Sequence, residues 1–123
     1  MTSNNPWPVL YFVPANATLP QGVAYNTMRF GEKWANQVKV GDVLELRETG
    51  TERRLGAAAV VDIKVRPFEA AVENHSLDNY VGLGLPPSEA RHAVVNSMMA
   101  AYGAALSNSS AITVLTIVPL NEG

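Results

Sequence analysis

The chain has 123 residues, 47 % of them apolar and 16 % charged, with no cysteine and two histidines. This length fits one domain, and this balance is too apolar for a disordered chain. Disulfides, thiolate metal sites and cysteine nucleophiles are excluded, and His75 and His92 are too few for a histidine-rich metal site, so no metal or other cofactor is expected.

The net charge is −2, but it is unevenly spread. Residues 1–66 hold eight Lys/Arg against six acids, whereas residues 67–123 hold Arg91 against five acids. This permits a local basic face and argues against a protein that tracks nucleic acid along its whole surface. No apolar run reaches the roughly 18 residues that span a bilayer. Met1 to Pro8 has neither a basic n-region nor an apolar stretch with a small-residue cleavage site, so the expectation is a cytoplasmic domain with no membrane contact.

MTSNNP at 1–6 reads as a frayed end. Val9 to Val13 is apolar, rich in β-branched and aromatic residues and bounded by Pro8 and Pro14, which predicts a buried strand. Residues 14–22 read as a loop, Val23 to Arg29 as extended chain, and GEKWANQVK as a helical turn. A tight turn over Lys39 to Asp42 leads into the alternating run Val43 to Arg47, and 48–54 form a longer hairpin connection centred on Gly50. Leu55 to Val65 follows as a long strand. Strict alternation puts Ala59, Val61, Ile63 and Val65 on a dry face and Ala58, Val60, Asp62 and Lys64 on a face that turns wet toward its end.

Pro67 ends that ladder, and Phe68 to Glu73 reads as one or two helical turns. Residues 74–86 are rich in Gly, Asn and Asp and read as a loop. GLGL at 82–85 lacks the strand before it and the helix directly after it that a dinucleotide fingerprint needs. Pro87 to Tyr102 is the clearest helix: prolines at its entry, Glu89 in the first turn, apolar residues at three- and four-residue spacing, and Gly103 at its end. Met98 and Met99 read as core filler. Ala111 to Val118 is a β-branched final strand stopped by Pro119. The fold class is therefore α+β, a small bent sheet or barrel of about five to six strands with two to three helices packed on it.

The densest polar-aromatic stretch runs from Tyr25 to Trp34, with Thr27, Arg29, Phe30 and Lys33 inside it. A planar, nucleobase-like ligand wants aromatic faces, a guanidinium and a hydroxyl or amide, and all occur here. The same residues also fit a packing role, with Phe30 and Trp34 stapling a helical turn and Arg29 paired to an acid. His75, in ENHSLDNY, is a candidate general base or a solvated loop histidine. His92 reads as a surface or half-buried packing residue. Arg53 and Arg54 at the hairpin tip could touch phosphates or be solvated beside Glu48 and Glu52. Ser107 to Ser110 forms no nucleophile elbow.

GVAYNTMR at 22–29 resembles the Gly-x-Lys-x-x-Glu-x-Arg signature of the ASCH family in the PUA-like superfamily. Gly22 and Arg29 match its ends, Thr27 stands at the Glu position, as in a branch that deacetylates N-acetylated cytidine, and Ala24 replaces the lysine. Val40-Gly41-Asp42-Val43-Leu44 and LGAAAVVDIKV resemble the family's next two steps, so the resemblance covers about 22–66. It implies a single PUA-like β-barrel domain over 1–123, with the signature lining a cleft and RNA or a nucleobase-type small molecule as partner. The residues expected to bind the ligand are Tyr25, Thr27, Arg29, Lys33, Trp34 and Lys64.

The deacetylating branch makes Thr27 a candidate nucleophile. With Ala24 in place of the activating lysine and Val60 nearest the branch's Glu, the hydroxyl is left without its partners unless Asp62 and Lys64 substitute. Three functions follow: a binding module for RNA, nucleobases or nucleotides; an amidohydrolase or ribonuclease on the same cleft; and a protein-interaction domain whose barrel edge pairs with a partner. The first is the expectation, and enzymatic activity is the lesser one.

Overall fold

The final strand carries apolar side chains on both faces, and the architecture follows from burying both. The computed structural model describes residues 7–13 and 18–121; the expected frayed end at 1–6 and part of the 14–22 loop lie outside them. The elements are β1 (Val9–Phe12), β2 (Tyr25–Phe30), α1 (Lys33–Gln37), β3 (Val43–Glu48), β4 (Arg54–Pro67), α2 (Phe68–His75), α3 (Pro87–Tyr102), a 3₁₀ turn at Gly103–Ala105 and β5 (Ala111–Pro119). Sheet order is β1-β3-β4-β5-β2, with β1 parallel to β3 and the other pairs antiparallel. The result is a mixed five-stranded sheet curled into a half-barrel with three helices. The α+β class is as expected; a closed PUA-like barrel is not seen among the described residues.

On β5, Leu115 and Ile117 join Leu10, Phe12, Leu44 and Val60 in the concave core. Ile112 and Val114 face the other way, onto Phe68, Ala71, Val94 and Met98 of α2 and α3. An apolar run on a central strand covered on both faces is the physical reason AITVLTIV shows no polar alternation.

The long β4 departs from the expected faces. Val60 pairs with Ile117 and Asp62 with Thr116, so Val61 is an extra, unpaired residue, 43 % exposed. This bulge reverses the side-chain alternation and bends the strand. Ala58, Val60 and Ile63 therefore share the concave core, and Asp62, Lys64 and Arg66 pair with Thr116, Val114 and Ile112 on the outer face. The dry face expected at Ala59, Val61, Ile63 and Val65 is corrected accordingly, because a one-residue insertion exchanges the two faces downstream of it.

Residues 74–86 are more ordered than their composition suggests. Asn26 on β2 donates its amide to the His75 carbonyl at 2.9 Å and accepts from the Asn79 amide at 2.9 Å. Its backbone N–H meets the Asp78 carbonyl and its C=O receives the Tyr80 N–H. The segment 78–80 thus lies along the free edge of β2 as a one-residue parallel bridge. Gly82 packs so closely beneath this loop that a Cβ would overlap the Ser76 carbonyl oxygen and stand 3.2 Å from the Ala90 Cβ. Gly82→Ala should cost about 1–3 kcal/mol through overpacking against backbone, read as a lowered midpoint in chemical denaturation. An unchanged midpoint would mean that Gly82 is not packed against the Ser76 carbonyl.

Candidate functional site

Because β2 alternates, Tyr25, Thr27 and Arg29 point into the concave side while Met28 points onto the helices. Tyr25 and Thr27 are buried and Arg29 is half-buried. The Arg29 Nε donates to Thr27 Oγ1 at 3.1 Å, and Nη1 donates to the Tyr11 carbonyl of β1 at 2.7 Å. The guanidinium carbon stands 4.9 Å from the centroid of the Phe12 ring, a cation–π distance. β1 and β2 are the two edge strands of the sheet, so this one side chain bridges the seam of the half-barrel.

The seam opens into a cleft of about 480 Å³. Its strand wall holds Tyr11, Phe12, Thr27 and Arg29; Tyr80 comes from the loop; α3 contributes the small residues Ala93, Ser97, Ala100 and Ala101, together with Asn96, Met98 and Tyr102. Phe12 and Tyr80 meet edge to face at 5.1 Å, and Phe30 and Tyr102 lie 5.5 Å apart. Among the described residues no carboxylate forms an ion pair with Arg29. Burial pulls its pKa down, and the nearby Tyr102, Tyr80 and Tyr25 oppose that. An arginine keeps its charge under such a pull, so a cation sits in an aromatic cleft with its counter-charge unsupplied.

The other sequence candidates are dispersed. Lys33 is exposed on α1, and Trp34 packs against the concave core, so neither lines the cleft. Lys64 lies on the outer face of β4, paired with Asp62 at 3.2 Å. His75 closes α2 near Lys64 and Arg66; burial lowers its pKa, with Arg66 and Lys64 adding to the effect. It is not in the cleft.

The chemistry available to Thr27 follows from this placement. Its oxygen accepts a hydrogen bond from a cation, no described side chain stands as a base against it, and Asp62 and Lys64 are across the sheet from it. Val60, at the position compared with the branch's Glu, is core. The hairpin arginines are also committed. Arg53 pairs with Glu48 at 3.0 Å, Arg54 with Glu45 at 3.0 Å, and Arg47 with Glu45 at 2.7 Å. Burial raises the pKa of Glu45, yet hydrogen bonds from Arg54 and Arg47 hold it below the usual carboxylate range.

The sequence reading missed Tyr11, Tyr80, Tyr102 and the α3 wall. The available signal was the small-residue face at 93, 97 and 100–101, set beside the apolar stripe of Val94 and Met98 at helical spacing.

Beneath Arg29, the Tyr25 hydroxyl is buried without a hydrogen-bond partner. Burial pushes its pKa up to about 12, with Tyr80 adding to the rise and Arg29 opposing it. An unpaired buried hydroxyl costs about 1–3 kcal/mol, so Tyr25→Phe should raise stability by about 1 kcal/mol or more in denaturant titration. A loss of stability would show that the hydroxyl is satisfied. The raised pKa also gives a pH dependence. The unfolded tyrosine ionises near pH 10 and the folded one near 12, so stability present below pH 10 falls as pH rises between the two. The Tyr25→Phe variant should lack that part of the alkaline loss.

No family model matches the sequence, and no curated protein matches it. Two solved structures resemble the fold. The hypothetical protein PH0355 aligns over 93 % of this chain and 98 % of its own, with a TM-score of 0.58 and 16 % identity. Protein EF3133 from Enterococcus faecalis V583, described under DUF984, aligns over 80 % of this chain and 62 % of its own, with a TM-score of 0.54 and 11 % identity. At these identities the likeness is one of fold alone, and it supports the half-barrel with packed helices as a recurring arrangement.

Proposed function

We propose that this protein is a binding module for a nucleobase- or nucleotide-type small molecule, held in the cleft between the β1–β2 seam and α3. One observation carries the reading: Arg29 is a cation set among aromatic rings, with no carboxylate pairing it among the described residues. A planar, electron-rich or anionic guest supplies what such a site lacks. The resemblance of GVAYNTMR to the ASCH signature, which places Thr27 and Arg29 in a ligand cleft, points the same way. A volume of about 480 Å³ falls within the range of small-molecule pockets.

A single base or nucleotide suits the cleft better than a long RNA. The basic side chains that could follow a phosphate backbone, Arg47, Arg53 and Arg54, are already paired with Glu45, Glu48 and Glu52. Lys33 and Lys64 project from other surfaces, away from the cleft.

The test is competition binding by fluorescence anisotropy with a short labelled single-stranded RNA, at about 50 and 200 mM salt, with free nucleosides and nucleotides as competitors. Free competitors should displace the probe, and Arg29→Gln should weaken binding by about tenfold or more, the usual loss for a charged hydrogen-bond donor. Lys33→Ala and Lys64→Ala should leave it unchanged. Undiminished binding in a folded Arg29→Gln variant would refute the reading. RNA binding that resists all free competitors would point to an extended RNA surface instead.

A further inference from the structure

We propose that the inner end of the cleft, at Arg29 and Thr27, is a subsite for a phosphate group, so that the ligand is a phosphorylated small molecule of nucleoside-monophosphate type held phosphate-inward. The inference rests on the cleft being a ligand site and fixes which part of the ligand Arg29 takes.

It is carried by an imbalance between donors and acceptors. The two concave-facing side chains of β2 that line the cleft, Thr27 and Arg29, both have a proton to give. Arg29 uses Nε–H on Thr27 Oγ1 and one Nη1–H on the Tyr11 carbonyl, and its Nη2 meets no acceptor among the described residues. The Thr27 oxygen is engaged as an acceptor by that bond, which leaves its own hydroxyl proton to give.

Most nucleobase edges present donors beside acceptors, and the acceptor-only O6/N7 edge of guanine, which an arginine can take, brings no negative charge to balance a partly buried guanidinium. Phosphate oxygens are acceptors only, and they bring the negative charge that balances the guanidinium. The remainder of the ligand then lies between Tyr11, Tyr102 and α3, where the short side chains of Ala93, Ser97 and Ala100 leave room for a ring.

Calorimetric titration with a nucleoside, its 5′-monophosphate and inorganic phosphate tests the assignment. The monophosphate should bind at least tenfold more tightly than the nucleoside. Inorganic phosphate should compete with it, and should shift the Arg29 Nε–H and Thr27 amide resonances of the unmutated protein. Thr27→Val, which keeps the side-chain shape in the strand, should remove several-fold of the monophosphate affinity and little of the nucleoside affinity. Equal affinity for nucleoside and monophosphate overturns the phosphate subsite and leaves the cleft reading standing; absence of binding by either overturns both. Saturating inorganic phosphate that leaves the Arg29 and Thr27 resonances unmoved also overturns it, independently of whether any Arg29 variant folds.

Discussion

The architecture depends on how one arginine spans the seam of an unfinished barrel. β1 and β2 are edge strands of the same sheet, and the described residues close the gap between them with the Arg29 side chain on the Tyr11 carbonyl. A backbone carbonyl and a threonine hydroxyl orient a guanidinium without neutralising it. The same geometry that joins the edges therefore keeps a full positive charge in a partly desolvated place. Such an arrangement is costly unless something compensates the charge, and the Phe12 face at 4.9 Å compensates only in part.

The remaining basic residues show what compensation looks like when the fold supplies it. Glu45, only 5 % exposed, takes Arg47 and Arg54, while Glu48 takes Arg53 and the Thr51 hydroxyl. The Tyr11 hydroxyl donates to Glu52 at 2.7 Å, tying β1 to the hairpin. Three of the eight cations of residues 1–66, Arg47, Arg53 and Arg54, are thus balanced by the three glutamates of the β3–β4 hairpin, and the positive excess lies outside it. A charge count could not separate these structural cations from Arg29; the pairing does.

Much of the fold was legible in the sequence because local rules and tertiary packing agree there. Pro87 to Tyr102 is helical over the span its prolines, periodicity and Gly103 indicate, and the Gly103 N–H closes on the Met99 carbonyl. The strands at 9–12, 43–48 and 111–119 lie where β-branched and apolar runs place them. Two features escaped. The bulge at Val61 leaves no mark in a run as uniformly apolar as AAAVV, so alternation alone put Asp62 and Lys64 beside Val60. The cleft escaped because its walls come from β1, β2, the 76–86 loop and α3, whose contacts are set by topology. What the sequence did show of the cleft was Thr27 and Arg29, two residues apart on one strand face, while Tyr25, on the same face, lines a separate cavity with Leu46 and Leu55. Closeness in the chain also grouped Lys33 and Trp34 with them, and these follow a turn at Gly31, with φ of 82°, and do not line the cleft.

The cleft exists because one strand edge is only half covered. Asn26 points its backbone N–H and C=O outward, and Asp78 and Tyr80 satisfy both, with the buried Asn26–Asn79 amide pair locking the loop in place. Two residues along, Met28 turns its backbone the same way, and no loop backbone meets it among the described residues, because the chain has left the edge at Tyr80. An open edge in a small sheet invites pairing with other chains. Here α3 shields it from a distance, with Ala93, Ser97 and Ala100 too short to fill the space between. Longer side chains at those positions would pack the edge shut and bury Arg29 with no outlet for its charge. The small residues of α3 and the guanidinium of β2 without a carboxylate partner are therefore two halves of one constraint: short side chains on the helix leave a cleft of about 480 Å³ beside the strand, and the charge lines it.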